Sequence, residues 1–146
     1  HVLSSEMKDD DFEKKYITVV KGIIEEDEGT INQPIYRPTD DSVKRVVDES
    51  GQESITHYKV IERLNDATIV EVKLETGRTH QIRVHMAHIG HPIIGDELYG
   101  FVDENLIKRQ ALHAYGLKFK QPRTKEVLAF KAEIPDDMKI LIEKLR

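Results

Sequence analysis

The hydrophobic pattern along this chain changes period several times, and each change marks an expected element. Residues 16–22, YITVVKG, are β-branched and aromatic, so they predict a strand that Gly22 closes. Residues 25–30, EEDEGT, are polar and read as a connection. Residues 31–47 carry Pro34 and Pro38 and read as irregular, with a short strand at Val43–Val47, and DESGQES (48–54) reads as a hairpin turn. Residues 55–64 and 67–75 alternate with period two around an Asn65-Asp66 turn. In the second run Val70, Val72 and Leu74 share one face, and Glu71, Lys73 and Glu75 share the other. An antiparallel pair with one wet face is expected.

After Thr76-Gly77 the period becomes helical. Ile82, Met86, Ile89 and Ile93 recur at helix spacing, Thr79 is the expected N-cap, and Gly90 and Pro92 end the helix. A helix from about Thr79 to about Ile89 is predicted, with boundaries good to a few residues. Residues 93–105 read as a loop, and residues 111–119 and 127–132 as two strands around a Gln121-Pro122-Arg123 turn. A last helix follows Pro135. Met138, Leu141, Ile142 and Leu145 form its apolar stripe, and Asp136 and Asp137 suit its positive N-terminal end. The class is α+β: a mixed, mostly antiparallel sheet with flanking helices, with no internal domain boundary.

Composition narrows the classes. The 146 residues are 38% hydrophobic and 34% charged, a soluble globular balance, and no apolar run is long enough to span a membrane. The first residues, HVLSSEMKDDDFEKK, lack the shape of a signal peptide. With no cysteine there is neither disulfide framework nor thiolate metal site, which fits a cytoplasmic protein. The net charge of −5 argues against nucleic acid as a partner, but its distribution does not. Acids crowd at 9–13, 25–28 and 40–41, whereas residues 78–91 hold Arg78, Arg83 and four histidines with no acid.

That basic run lies in ETGRTHQIRVHMAHIGHPIIGDELYG, residues 75–100. Arg78, Thr79, His80, Gln81, Arg83 and His85 sit where a strand end passes into a helix start. Free backbone N–H groups and a positive partial charge suit an anion there, though a solvated, capped helix start explains the same residues. His80, His85, His88 and His91 raise the question of a metal, since His85 and His88 could share a helix face. No HExxH accompanies them, and no nearby acid follows them before Asp96, so no metal site is assigned. Gly95-Asp96 and Tyr99-Gly100 read as turn chemistry, and Lys108 and Arg109 as a weak further phosphate patch.

The segment GRTHQIRVHMAHIGHPIIGDELYG closely resembles the hallmark segment of the RluA family of RNA pseudouridine synthases. Lys15-Tyr16 opening the strand YITVVKG, the hairpin GQESITHYKV (51–60) and the closing run 109–138 resemble further family segments in the family's order. The resemblance covers nearly the whole chain. It implies a pseudouridine synthase-like fold and the isomerisation of uridine to pseudouridine in structured RNA, rRNA or tRNA, with no cofactor.

It also implies roles for individual residues. The family nucleophile is an Asp in an Arg-Leu-Asp motif upstream of the tyrosine matched by Tyr16, and nothing before Tyr16 matches it. Glu62-Arg63-Leu64-Asn65 lies downstream and has Asn at the key place. Residues 1–146 are thus expected to be the C-terminal part of a catalytic domain, inactive alone. Tyr16 would stack on the uracil and assist removal of the C5 proton, although a strand tyrosine in a core wall is the ordinary alternative. Arg83 would pair with the missing Asp. Arg78, Thr79, His80, Gln81 and His85 would face RNA, Arg78 through phosphate. A non-catalytic RNA-binding module and a histidine-based metal hydrolase stand as the other readings.

Overall fold

The computed structural model describes residues 13–100, 102–120 and 127–146. The Gln121-Pro122-Arg123 turn and Asp9, Asp10 and Asp11 lie outside them. Eight strands are described: β1 (Glu13–Lys21), β2 (Glu28–Asn32), β3 (Ile35–Tyr36), β4 (Val46–Val47), β5 (Ile55–Arg63), β6 (Ala67–Leu74), β7 (Leu112–Lys120) and β8 (Val127–Lys131). The helices are α1 (Gln81–His88) and α2 (Asp136–Leu145). The main sheet has the order β2-β5-β6-β1-β7-β8, and β3 and β4 form a separate small hairpin. Every described pairing of named strands is antiparallel.

Register explains which side chains meet. Tyr16 on β1 faces Val72 on β6, which faces Tyr58 on β5, so these three form one row on one face of the sheet. Thr56 of the same face bonds His85 of α1, so α1 covers this side. On the other face Glu62 of β5, paired with Ile69, holds Arg146 just beyond the end of α2. Val19, Val20, Val70, Met86, Ile93 and Met138 are fully buried in one continuous cluster between these layers. No helix among the described residues is long and apolar enough to cross a membrane.

Three local expectations are corrected. The segment 25–30 is not all connection, because β2 begins at Glu28 and pairs with β5. Its outward residues Glu28, Thr30 and Asn32 are exposed, and only Ile31 carries an apolar side chain inward. The neighbouring inward position is Gly29, where a Cβ would come 2.5 Å from the Tyr58 hydroxyl. Tyr58 thus fills the space from the adjacent strand, and β2 needs almost no hydrophobic signal of its own. The strand expected at Val43–Val47 shrinks to Val46–Val47. The N-cap of α1 is His80, not Thr79, and His80 takes the left-handed backbone region at φ 59°. No side chain caps the helix from that position; the Gln81 carboxamide satisfies the preceding turn instead.

Candidate functional site

The strand-to-helix junction is built around a buried polar chain. Ile55 N–H donates to Thr76 Oγ1 at 3.0 Å, and Thr76 donates to Gln81 Oε1 at 2.8 Å. Arg78 N–H also donates to Gln81 Oε1, at 3.0 Å. The Gln81 amide nitrogen donates to Ile55 O and to Thr56 Oγ1, at 3.0 and 2.9 Å. This uses the full hydrogen-bonding capacity of a glutamine side chain. Thr56 lies 2.7 Å from His85 Nδ1, and His85 Nε2 lies 2.8 Å from the Gln33 carbonyl oxygen. A carbonyl only accepts, so Nε2 carries the proton. Nδ1 then accepts from Thr56, and His85 is neutral. Burial, the largest cause, lowers its pKa below the ordinary histidine value, with a lesser push from His88.

Gln81 and His85 were expected at an RNA-facing surface, and the fold places both inside. Both have their polar atoms engaged inside the fold, where they bond the Ile55 and Gln33 carbonyl groups. His85 has no free nitrogen, His91 Nδ1 bonds the Lys21 carbonyl oxygen, and no three His, Asp or Glu side chains converge among the described residues.

A pH dependence follows. The folded pKa of His85 is depressed, so its contribution to stability is present above the unfolded pKa of about 6.5 and is lost as pH falls below it. Denaturation midpoints of the full-length protein are expected to fall between about pH 7.5 and pH 5.5, and His85→Gln is expected to flatten that fall. A midpoint equally pH-dependent in the variant would assign the effect elsewhere.

Arg83 lies in the first turn of α1, with only 13% of its side chain exposed. Its Nε and Nη2 donate to Asp96 Oδ2 and Oδ1, each at 2.8 Å, in a bidentate pair. Its guanidinium sits 5.2 Å above the Tyr99 ring. Asp96 is 1% exposed, and its Oδ1 also accepts from the backbone N–H groups of Leu98 and Tyr99, at 3.0 and 3.1 Å. Burial alone would raise the Asp96 pKa, but the Arg83 bonds and these two N–H groups outweigh it and hold the carboxyl below its ordinary value. The turn role expected of Asp96 is present, and an ion-pair role accompanies it that the sequence did not reveal.

Tyr99 joins the parts. Its hydroxyl accepts the Arg45 N–H at 2.7 Å and lies 2.8 Å from His80 Nδ1. Burial raises the Tyr99 pKa, so the hydroxyl keeps its proton, which is available to His80 Nδ1. Burial first, then Arg83 and Arg45, lowers the pKa of His80, so its ring is neutral as well. Arg78 is anchored through Nε to the Glu53 carbonyl oxygen at 2.9 Å, and Thr79 beside it is exposed. Tyr16 is half-buried on β1, at a bulge between Lys15 and Tyr16 in the pairing with β7, with the Lys14 ammonium 5.4 Å from its ring centre. Bulges re-aim side chains, so this strand start is shaped rather than regular. Arg109 of the weaker patch pairs with Asp137.

A family model described as RNA pseudouridylate synthase matches residues 1–88. The uncharacterized RNA pseudouridine synthase YlyB of Bacillus subtilis (strain 168) is 50% identical over 133 residues, which cover 91% of this chain and 44% of that protein. The ribosomal large subunit pseudouridine synthase D of Buchnera aphidicola is 42% identical over 147 residues, covering 91% of this chain and 46% of that protein. Among solved structures, human RNA pseudouridylate synthase domain containing 1 superposes with a TM-score of 0.76 at 29% identity, over 90% of this chain and 58% of that one. The chain spans about half the length of the curated relatives it matches. With the family model covering most of the chain and these relatives agreeing on the same description, the protein belongs to the RNA pseudouridylate synthase family.

Proposed function

We propose that this chain is the C-terminal part of the catalytic domain of an enzyme that isomerises uridine to pseudouridine in rRNA or tRNA. The observation that carries the reading is the fixed guanidinium of Arg83, presented at the start of α1 inside the family-matched segment. In the reaction the N1–C1′ bond breaks, the uracil turns, and C5 bonds to C1′. The C5 proton leaves and N1 gains one, so no redox step is needed. The base must leave its stack first.

The nucleophilic Asp belongs to an Arg-Leu-Asp motif that does not occur ahead of Tyr16 here. Arg83 would hold that carboxylate ionised and aimed. Tyr16 would stack on the uracil and assist at C5 from its half-buried place on β1. Arg78, Thr79 and His80 form the RNA-facing edge. The bond from Arg78 Nε to Glu53 leaves its two Nη groups for phosphate.

Tritium release from C5-labelled uridine in rRNA and tRNA transcripts tests the reading. The full-length protein is expected to release tritium and the 146-residue chain none. A full-length protein that binds RNA without release would be a binding module instead. RNA affinity should fall with rising salt, and Arg78→Ala should weaken it across sequences while reducing the salt slope by about one. Binding indifferent to both salt and Arg78 would remove the phosphate role.

A further inference from the structure

Asp96 lies beyond the residues matched by the family model, yet it makes both of Arg83's side-chain ion-pair bonds. We propose that Asp96 is a positioning residue for the isomerisation: it grips Arg83 by the Nε–Nη2 edge and leaves the Nη1 edge as the one that meets the nucleophilic carboxylate. This rests on the reading of the chain as part of a pseudouridine synthase.

Three observations carry it. The first is the use of the guanidinium. Its planar fork offers two edges, and Asp96 occupies one in bidentate fashion. Nη1 has no hydrogen-bond partner among the described residues, and 13% of the side chain stays exposed. The second is the fixity of Asp96. Its oxygens take four donors in all, two from Arg83 and two backbone N–H groups from Leu98 and Tyr99. The preceding Gly95 has φ +87°, and a Cβ there would lie 2.0 Å from the Arg109 carbonyl oxygen. The loop therefore passes through one narrow path and delivers the carboxylate to one place. The third is Tyr99, which supports the guanidinium face while its hydroxyl is tied to α1 through His80 and to the small hairpin through Arg45. Asp96 and Tyr99 together set the position and tilt of Arg83 and which of its edges stays free.

Asp96 itself cannot be the nucleophile. A carboxylate that is 1% exposed and engaged by four donors has no path to a ribose C1′. A buried ion pair is also a weak source of stability, since burying charges offsets most of their attraction. Orientation is the better account of why this one is built so fully. The charged and titratable groups around Arg83 are Asp96, Glu97 and Tyr99 of the loop, His80 of the helix start, and Lys44 and Arg45 of the hairpin, the last three reached through Tyr99.

The test uses the full-length protein, single-turnover pseudouridine formation, RNA affinity and the pH profile of the rate. Asp96→Asn removes the balancing charge and one acceptor. It is expected to slow the step at saturating RNA about tenfold or more while RNA affinity stays within about twofold. Its acid limb should move to lower pH, because an unbalanced Arg83 lowers the pKa of the carboxylate it meets. Asp96→Glu keeps the charge but shifts the guanidinium by about a methylene, so its limb should stay in place while its rate falls. If Asp96→Asn does not fold, Asp96→Glu decides by its rate.

A folded Asp96 variant with normal rate and limb, beside an inactive Arg83→Ala, overturns the positioning role and leaves the enzyme reading intact. Losses that follow the folded fraction alone, with an unmoved limb, overturn it equally. A wild-type protein inactive on every RNA overturns the enzyme reading, and this inference with it.

Discussion

Arg83→Ala in the full-length protein is expected to reduce pseudouridine formation at saturating RNA about a hundredfold or more, and to destabilise the fold by about 3–5 kcal/mol. The two effects have one origin. Arg83 is the partner that offsets the buried charge of Asp96, which is 1% exposed. Removing it strands that carboxylate, which then loses two charge-assisted bonds and keeps only the backbone N–H groups of Leu98 and Tyr99. On the proposed mechanism it also removes the group that keeps the nucleophile ionised. Arg83→Lys keeps a point charge but cannot grip Asp96 in two places and reach a second carboxylate as well, so only part of the rate should return. Arg78→Ala should show the opposite balance, weaker RNA binding with a milder effect at saturation. Denaturation midpoints and single-turnover rates on the three variants separate the roles. Normal turnover by Arg83→Ala with a dead Arg78→Ala would mean that the two arginines had been exchanged.

Period-two alternation located β5 and β6 to within one residue at their C-terminal ends, because each strand keeps one face wetter than the other over much of its length. Ile61 breaks the alternation for a local reason: it lies at the irregularity between Val60 and Glu62 and is half exposed. The helical period at Ile82 and Met86 likewise placed α1, since both side chains are buried against the sheet. What escaped was set by tertiary partners. β2 was invisible because Tyr58, 29 residues beyond Gly29, supplies its inner face. His80 rather than Thr79 caps α1 because a carboxamide within the helix, and no side chain before it, satisfies the turn.

The site divides in the same way. The density of Arg, His and Gln between 78 and 91 marked the region, but composition does not tell inward from outward. Gln81 and His85 look as suited to RNA as Arg78 and Thr79 do. Only the fold shows that the first two are sealed beneath β5. Asp96 was read as a turn residue, and the signal for its second role is Arg83 standing 13 positions before it. That spacing becomes meaningful once Gly90 and Pro92 turn the chain back along β1, where Ile93 pairs with Val20.

Gln81→Leu should therefore be among the most destabilising single changes in the chain, although it puts an apolar side chain of similar size into a buried place. Leucine can replace none of the four hydrogen bonds. The Ile55 carbonyl keeps the Glu75 N–H, and Thr56 keeps His85, so neither is orphaned. Arg78 N–H and the Thr76 hydroxyl proton lose their acceptor in a largely dry junction. Two unsatisfied donors at about 1–3 kcal/mol each, offset in part by the gain in apolar burial, leave a net cost of about 2–4 kcal/mol. The damage should also reach the proposed chemistry. Gln81 ties the first turn of α1 to β5, and Arg83 follows two residues later, so a loosened first turn loosens the guanidinium. The full-length variant is expected to show a lower urea midpoint and, in its folded fraction, a slower single-turnover rate at unchanged RNA affinity. Gln81→Glu separates the two contributions, because it keeps the acceptor for Arg78 and Thr76 but presents oxygen to the Ile55 carbonyl. A midpoint for Gln81→Leu within about 0.5 kcal/mol of wild type would show that water replaces the carboxamide, and that the junction is wetter than its burial implies.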